Sequence, residues 1–403
     1  MKLLFLSPCI PSSNGTGWEQ RAFCFLKAYS EIFSIELICC NFSGEKPTEE
    51  RINSLHLICQ KVLVFEFGQV ILKSSFLQKC LRCFSIKPFF SSANFNFTFL
   101  NILYNSIKSA DLIHVSRLEL FSLIPSDYYS HKVILDLDEC HFTAFQRKAN
   151  YHSASNFRNK IAKTILTLDN FRVRYYQANA VRKALATCVS SEIEKSRLAN
   201  FKPVIVVPNV GKILLTLPKI HNKFPKHFLF VGNLSAPANI DAVIYFTNKI
   251  FPKIIARDGD CEFHIVGRQP SPKILALTKY NKIKLTIDLP NIEEAYLNAS
   301  VVVVPIRFGA GTKLKLLEAF GHGVPCVSTS LGCEGLSVRN KEHLLIADTP
   351  NKFANSCIQL LGDLELQREI ADSAWRYVHQ FHSSENIKTI IFDKLLASVT
   401  KTR

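Results

Sequence analysis

The stretch VVVVPIRFGAGTKLKLLEAFGHGVP, from Val301 to Pro325, decides the fold of this protein. Its four valines are typical of a buried strand, and its glycines are typical of a tight loop. The spacing of the apolar residues that follow indicates an amphipathic helix. We therefore predict a strand, a glycine-rich loop and a helix that opens at Thr312 and is capped by it. Backbone N–H groups in such a loop attract an anion, together with the positive end of the helix dipole.

Charged side chains along this stretch are spaced in a way that suits a nucleoside diphosphate. Arg307 and Lys315 carry positive charge for the phosphates, and the Glu318 carboxylate can accept hydrogen bonds from ribose hydroxyls. We predict these three side chains as the catalytic group. A plain strand–turn–helix is the alternative, and it leaves the combination of charges and glycines unexplained. The loop residues predicted to contact the donor are Gly309, Ala310, Gly311, Thr312 and Lys313.

Outward from this stretch, short β-branched runs alternate with amphipathic segments along nearly the whole chain. This alternation predicts an α/β fold with mostly parallel, doubly wound sheets, arranged as two Rossmann-like domains in tandem. Ligands of such sheets lie beyond the carboxyl ends of the strands, so two domains that face each other would form a central cleft. The predicted strands are 2–7, 35–40, 61–65, 112–115, 133–136, 185–190, 204–207, 227–231, 262–266, 282–286, 301–305, 324–328 and 343–346.

The domain limits follow from the chain length and from a break in this pattern. A chain of 403 residues is too long for one core, so roughly two to three domains are expected. Residues 211–225 contain lysines and prolines and lack periodicity, which is typical of a linker. We predict a first domain over residues 1–210 and a second over residues 211–384.

The chain is strongly basic, with a formal net charge of +16. Its lysines and arginines form no long block and no nucleic-acid-binding motif is evident, so a nucleic acid partner is not predicted. We favour an anionic donor and weak peripheral contact with anionic lipid head groups. Surface charge without a specific partner is the alternative.

Neither a membrane span nor a signal peptide is predicted. No apolar run approaches the roughly 20 residues that cross a bilayer, and Pro8 and Pro11 interrupt the apolar N-terminus early. The 13 cysteines show no spacing typical of a disulfide framework, and the C-x-x-C of Cys80 and Cys83 lacks a second pair for zinc. Free thiols in a reducing cytosol are expected, which predicts a cytoplasmic protein, at most peripheral at the inner face of the membrane.

The stretch quoted first resembles the donor-binding signature of the GT4-type retaining glycosyltransferases, P-x-R-x-G-x-G-T-x-x-K-x-x-E-A. Other segments resemble the same family in the same order: 206–209 (VVPN), 228–239 (FLFVGNLSAPAN), 265–268 (IVGR) and 328–336 (STSLGCEGL). The resemblance implies a GT-B fold without cofactor or bound metal, and a C-terminal helix, about 385–403, that packs back on the first domain. It also implies transfer of a sugar, with retention, from a nucleotide-diphosphate sugar to the hydroxyl of a glycan, lipid-linked or small-molecule acceptor, in polysaccharide or glycoconjugate synthesis.

The resemblance places Asn233, Arg268 and Glu334 at the donor. At two places this sequence differs from the commoner form of the family, and both differences change how the donor would be bound. Where the commoner form of the family has a first glutamate, this chain has Ala310, so backbone amides would replace a carboxylate contact with the donor sugar. The family's commoner Arg and Lys after the second domain's first strand are also missing. Positive charge for the phosphates is then expected from the side chains that remain: Arg307, Lys313 or Lys315, and Arg268.

The first domain gives weaker signals. The loop 14–17 (NGTG) resembles the family's N-terminal glycine-rich loop, which places Gly15 and Gly17 near the donor, although a surface turn is an equal alternative. His114 lies within a strand and is expected in the core. Carboxylates and a histidine after the strand 133–136 could orient or deprotonate an acceptor hydroxyl, or cap the following helix. The acceptor-side candidates are Arg117, Asp138, Glu139 and His141.

Two other functions remain open from the sequence. A GT-B sugar-nucleotide epimerase would need acid and base residues at the donor carbon, and no matching set is evident. A non-catalytic sugar- or lipid-binding relative is favoured by the alanine at position 310.

Overall fold

The computed structural model describes residues 1–42, 47–67, 95–143, 146–147, 157–198, 201, 203–218, 226–289, 291–309, 311 and 314–402, with the backbone only for 157–166 and 401–402. The chain divides into two compact units. The first consists of Met1–Asn209 together with Ile387–Arg403, and the second of Val210–Asn386. The acceptor-side and donor-side roles of the two parts remain predictions.

Seven parallel strands form the sheet of the first unit: β1 (Lys2–Ser7), β2 (Ser34–Asn41), β3 (Lys61–Glu66), β4 (Leu112–Ser116), β5 (Val133–Asp138), β6 (Ala186–Val189) and β7 (Val204–Val206). Their order in the sheet is β3-β2-β1-β4-β5-β6-β7. The strand order reverses between β1 and β4, and the loops that follow two such strands diverge and leave room for a ligand.

Helices connect these strands: α1 (Gly17–Tyr29), α2 (Glu49–His56), α3 (Phe97–Ser109), α4 (Leu118–Phe121), α5 (Tyr129–Lys132), α6 (Phe157–Lys183) and α7 (Glu192–Arg197). The four apolar residues of β1 from Leu3 to Leu6 are fully buried. Continuous burial of this kind is typical of parallel strands that are covered by helices on both faces.

The C-terminal segment of the chain comprises α15 (Ser384–Ile390), a π-helical turn (Ile391–Leu396) and α16 (Ala397–Thr402). From Ile387 onward it groups with the first unit. Ile387, Ile391 and Leu395 recur at every fourth position and are buried. Lys388 Nζ lies 2.8 Å from Glu31 Oε1, just after α1, which adds a surface ion pair.

Six parallel strands form the sheet of the second unit: β8 (Lys226–Asn233), β9 (Cys261–Arg268), β10 (Ile283–Ile287), β11 (Val301–Val304), β12 (Cys326–Ser328) and β13 (Leu345–Ile346). Their order is β10-β9-β8-β11-β12-β13. The helices are α8 (Pro237–Tyr245), α9 (Phe251–Ile255), α10 (Pro272–Leu275), α11 (Glu293–Asn298), α12 (Leu314–Gly321), α13 (Pro350–Gly362) and α14 (Leu364–His382).

The predicted α/β class with two parallel sheets is confirmed. Each of the thirteen predicted strands is present, and its ends differ from the prediction by no more than two residues. The helical segment between β8 and β9 is interrupted by a π-helical turn, Phe246–Ile250. Pro252 follows that turn and has no N–H to donate, which explains why regular α-helical bonding is broken before it.

The predicted linker, 211–225, is only partly described. Its residues 211–218 belong to the second unit. The Gly211 N–H donates to the His382 carbonyl at 2.9 Å, and the Leu214 N–H to the Gly321 carbonyl at 3.0 Å. These residues are therefore anchored to α12 and α14. Residues 219–225 lie outside the described residues, as do Cys80 and Cys83.

Candidate functional site

Two glycines lie near the carboxyl ends of β8 and β9, and the one on β8 makes space for a lysine ammonium group. A Cβ on Gly232 would lie 2.8 Å from Asn239 Nδ2 and 3.1 Å from Lys315 Nζ. A Cβ on its strand partner Gly267 would lie 1.9 Å from the Gly232 carbonyl oxygen. Because Gly232 has no Cβ, the Lys315 ammonium can lie directly against the end of β8, and the missing Cβ of Gly267 lets the ends of β8 and β9 pair closely.

Lys315 reaches this position from α12 and is buried there. Its Nζ donates to Asn239 Oδ1 at 2.9 Å and lies 4.0 Å from the centroid of the Phe230 ring. Asn239 is fixed in turn, because its Nδ2 donates to the Asn233 carbonyl at 2.9 Å. The amide and the aromatic ring are uncharged, so they orient the ammonium without neutralising it.

One turn further along α12, the Glu318 carboxylate is buried and held by a tyrosine. Its Oε2 accepts a hydrogen bond of 2.8 Å from the Tyr296 hydroxyl. The Tyr296 ring stacks on His322, whose Nδ1 lies 2.6 Å from the Glu318 carbonyl oxygen. Burial and the adjacent carboxylate raise the pKa of Tyr296 well above its ordinary value, so the hydroxyl remains a donor. Glu318 is thus held in one orientation.

The guanidinium of Arg307 lies on Asp241 of α8. Its Nε donates to Asp241 Oδ2 at 2.9 Å and its Nη2 to Oδ1 at 2.5 Å. Its Cζ lies 4.2 Å from the centroid of the Tyr245 ring, and the Arg307 side chain is 41% exposed. This two-point ion pair offsets much of the charge that the sequence assigns to the phosphates. Asp241 therefore reduces the positive potential that Arg307 adds to the site.

The loop between β11 and α12 requires glycine at two positions. Gly309 and Gly311 have φ values of +119° and +75°, which residues with a Cβ rarely adopt. A Cβ on Gly309 would lie 3.8 Å from the Ala238 side chain, so the loop passes the start of α8. Ala310, Thr312 and Lys313 lie outside the described residues, and their contacts with the donor stay predictions.

The remaining donor-side candidates also follow strands of this sheet. Asn233 and Arg268 are paired across the ends of β8 and β9, and both are exposed. Asn233 Oδ1 accepts from the Ser235 N–H at 2.9 Å, which shapes the turn into α8. Glu334 follows β12, in a loop where Gly335 has φ +90°. The structure thus brings Asn233 and Arg268 to the strand ends occupied by Lys315, and places Glu334 two strands away from β8.

In the first unit, the predicted glycine loop forms the start of α1. The Thr16 N–H donates to Glu19 Oε2 at 2.6 Å, and Gly17 is the first residue of the helix. A Cβ on Gly15 would lie 2.1 Å from the same Glu19 oxygen, so the glycine leaves room for this capping carboxylate. The contact of Gly15 and Gly17 with the donor stays a prediction, since a capped turn already explains the described contacts of Gly15.

Two acceptor-side candidates, Arg117 and His141, come together at the ends of β4 and β5. Arg117 Nη2 lies 3.1 Å from His141 Nε2. Glu119 joins them, with its Oε2 3.4 Å from Arg117 Nε and 3.3 Å from His141 Nε2. Burial by itself would raise the pKa of Glu119, but Arg117 and His141 overcome it and hold that pKa well below its usual range. The carboxylate therefore stays ionised.

Asp138, another acceptor-side candidate, points into a different network. Its Oδ1 accepts from Asn209 Nδ2 at 3.2 Å and lies 4.0 Å from Arg21 Nε. Arg21 is buried and donates to both carboxylate oxygens of Asp136. Glu139 contributes its carbonyl oxygen, which lies 3.1 Å from His141 Nδ1. The described hydrogen bond of Asp138 thus goes to Asn209, while its carboxylate and that of Glu139 still interact electrostatically with Arg117.

His114 lies in the core of the first unit. It is fully buried, stacks on Phe5 with the ring centroids 4.4 Å apart, and has its Nδ1 3.1 Å from the Tyr29 hydroxyl. Burial lowers its pKa well below the ordinary value. The prediction of a core histidine is confirmed.

In the part of the chain that the structure describes, no three His, Cys, Asp or Glu side chains gather as ligands for a metal ion. The eleven cysteines in that part are free thiols. No described helix combines the length and the apolar character of a membrane span.

Residues 225–363, which contain the lysine and glutamate sites described above, match the family described as "Glycosyl transferases group 1". The match lies within the second unit. The matched range begins at β8 and ends just after α13, so it includes every strand of the second sheet.

Two curated proteins resemble this chain over part of its length. An uncharacterized 44.6 kDa protein in the cps region of Klebsiella pneumoniae is 32% identical over 187 residues, which cover 43% of this chain and 48% of that protein. Glycosyltransferase 1 domain-containing protein 1 of Xenopus tropicalis is 23% identical over 143 residues, which cover 34% of this chain and 41% of that protein. The chain thus spans less than half the length of these relatives.

Solved structures resemble the whole chain. Sucrose-phosphate synthase from Thermosynechococcus elongatus has a TM-score of 0.70 at 15% identity, with 100% of both chains covered. HepE of Anabaena, solved in complex with UDP and glucose, has a TM-score of 0.64 at 14% identity, with 98% of this chain and 100% of that chain covered. At these identities the likeness establishes the fold alone, and the predicted GT-B fold is confirmed.

Reasoning from the sequence missed several residues at the candidate sites. In the second unit, Tyr296 holds Glu318 from 22 positions away, and no local pattern links the two. In the first unit, Trp18 and Glu119 both contact Arg117. Only Glu119 had a usable signal, because it is an acidic residue two positions after a basic residue that follows a strand.

Proposed function

We propose that this chain is a glycosyltransferase that moves a sugar from a nucleotide-diphosphate sugar to a hydroxyl acceptor, with retention of configuration. The observation that carries the proposal is the Lys315 ammonium, held at the carboxyl ends of β8 and β9 by Asn239 and Phe230. An oriented positive charge at that edge of a parallel sheet, inside a glycosyltransferase domain, suits the diphosphate of such a donor.

Each donor-side residue has a distinct role in this proposal. Lys315 stabilises the nucleoside diphosphate as it leaves, which is where negative charge grows during transfer. Glu318, oriented by Tyr296, accepts hydrogen bonds from the ribose hydroxyls. Arg307 adds positive potential that its pair with Asp241 reduces. The backbone amides of the glycine loop contact the phosphates and the donor sugar.

The chemistry needs no cofactor or bound metal in this proposal, because protein cations neutralise the leaving group. The departing phosphate oxygen helps to take the proton of the acceptor hydroxyl as the new glycosidic bond forms. A strong protein base is then not required, and electrostatic stabilisation of the leaving group supplies most of the catalysis.

The acceptor, in this proposal, binds the first unit and belongs to polysaccharide or glycoconjugate synthesis in the cytoplasm.

The surface of helix α6 supports the proposal of a lipid-linked acceptor and of peripheral contact with an anionic bilayer. Phe171 and Tyr175 are 67% and 70% exposed and lie one turn apart. The helix also contains seven lysines and arginines but one acidic residue. Exposed aromatic side chains on a basic helix suit the surface of an anionic membrane.

The test is a transfer assay with a panel of UDP-, GDP- and ADP-sugars, in which release of the nucleoside diphosphate and formation of glycoside are measured together. A Lys315→Met variant should lose both activities. Lys284→Met, which changes an exposed lysine on β10, is the matched control and should retain them.

The same assay separates the other two functions. An epimerase would convert the donor sugar without an acceptor and without release of nucleoside diphosphate. A non-catalytic relative would bind a nucleotide sugar in calorimetry and turn over none. Either result would refute the proposed transfer.

A further inference from the structure

An exposed indole lies at the edge of the first sheet where the loops diverge. Trp18 is the second residue of α1, and its side chain is 48% exposed. The Arg117 guanidinium, just past the end of β4, lies 3.5 Å from the centroid of its ring. One side of the indole is therefore fixed by a cation, and the side chain is still available to a ligand.

Arg117 is held in a conformation that the chain would not adopt by local preference. Its backbone has φ 75° and ψ 151°, a region that residues other than glycine rarely occupy. Its side chain is only 6% exposed, and Nη1 has no hydrogen-bond partner among the described residues. A buried guanidinium atom without a partner at the carboxyl edge of a parallel sheet indicates a place for an oxygen atom of a ligand.

The neighbours of Arg117 fix its orientation. The Glu139 carbonyl can only accept, so His141 Nδ1, at 3.1 Å from it, must carry the proton and donate. His141 Nε2 lies 3.1 Å from Arg117 Nη2, which can only donate, and 3.3 Å from Glu119 Oε2, which can only accept. The histidine therefore contacts both the guanidinium and the Glu119 carboxylate and positions them relative to each other. Glu119, which stays ionised, lies against Nε and offers acceptor oxygens beside it.

We propose that Trp18, Arg117 and Glu119 form a subsite for a pyranose ring of the acceptor. The ring stacks on the exposed part of the indole, Arg117 Nη1 donates to one ring hydroxyl, and Glu119 accepts from another. A sugar ring offers an apolar face together with hydroxyls that both donate and accept, and this subsite offers the complement of each. A purely anionic ligand fits less well, because the Glu119 carboxylate faces the same guanidinium.

This inference rests on the proposed function, since it names the class of acceptor that the glycosyltransferase would use. It places that acceptor on the loops that follow β1 and β4, which are neighbouring strands at the point where the strand order reverses.

The chain offers a direct probe of the subsite, because it contains two tryptophans, Trp18 and Trp375. A Trp375→Phe variant leaves Trp18 as the only indole. It would be titrated with methyl glycosides of hexoses and N-acetylhexosamines, with glycerol as a polyol that lacks a ring. We expect a saturable change in Trp18 emission with at least one glycoside and none with glycerol.

Kinetics with the best glycoside as acceptor supply the second arm. Trp18→Ala and Arg117→Lys should each raise the acceptor KM by roughly tenfold or more, with kcat and the donor Kd nearly unchanged. Tyr280→Ala, which removes an exposed aromatic side chain of the second unit, is the matched control and should change neither.

Three results would overturn the subsite: sugar binding that calorimetry detects but Trp18 emission does not, glycoside binding that survives Trp18→Ala, or nucleotide binding with no binding of any glycoside. Failure of the proposed function looks different. In that case no nucleoside diphosphate or nucleotide sugar would bind the wild-type chain, whatever the glycosides do at Trp18.

Discussion

Replacement of Lys315 by methionine tests the donor site most directly. Methionine keeps an unbranched apolar chain against Phe230, so the packing of α12 should survive. The substitution removes the ammonium and its bond to Asn239 Oδ1. Asn239 is only half-buried, so water can replace that bond. We expect the loss in unfolding free energy to stay near 1–2 kcal/mol, mostly from the lost contact between the ammonium and the ring.

The effect on ligand binding should be larger and specific to the phosphates. A charge-assisted hydrogen bond between Nζ and a phosphate oxygen contributes about 1.5–3 kcal/mol. Its loss should raise the Kd of UDP, or of whichever nucleoside diphosphate binds best, by roughly 10- to 150-fold. Arg307→Met should cost less, because Asp241 already offsets much of the Arg307 charge.

The measurement is calorimetric titration of the diphosphate and of the bare nucleoside into the wild type and each variant. The nucleoside lacks phosphates, so its affinity should change little in Lys315→Met. Lys284→Met is the control for a general loss of positive charge, and we expect it to leave both affinities intact. Equal losses of affinity for the nucleoside and the diphosphate would mean that the site around Lys315 has lost its structure. An unchanged Kd for the diphosphate would refute the placement of Lys315 at the phosphates.

Three further predictions test the site and the fold. Tyr296→Phe removes the buried donor to Glu318, so the free energy of unfolding should fall by about 1–3 kcal/mol in chemical denaturation. The preference for UDP over 2′- and 3′-deoxy-UDP should shrink as well; an undiminished preference in a folded variant would count against a ribose role for Glu318. Burial lowers the pKa of His264 from its ordinary value to about 4. Between pH 6.5 and 4 the unfolded chain therefore binds a proton that the folded chain does not. As the pH drops through this range, the free energy of unfolding should decrease by up to roughly 1.4 kcal/mol per pH unit. The difference between the wild type and His264→Gln in denaturation at several pH values measures this slope, and parallel curves would contradict it. Finally, transfer activity should persist in EDTA, and complete loss with rescue by Mg²⁺ or Mn²⁺ would show that a metal is required.

Much of the fold could be predicted from the sequence because its determinants are local. Runs of β-branched residues fixed the positions of the strands, and the alternation of strands with amphipathic helices fixed the parallel class. The glycines between β11 and α12 indicated a special backbone, and Gly309 and Gly311 do have positive φ values. Burial of His114 also followed from its place within a strand.

The sites depended on tertiary structure because their partners are far apart in the chain. Lys315 meets Asn239 across 76 positions, and Arg307 meets Asp241 across 66. Sequence alone gave both cations the same role, whereas the structure leaves the Lys315 ammonium beside an uncharged amide and pairs Arg307 with a carboxylate. The sequence determined which residue types stand at the strand ends. Only the folded chain decided which partners these side chains meet, because that depends on which side chains the packing of helices against the sheet brings within hydrogen-bond distance.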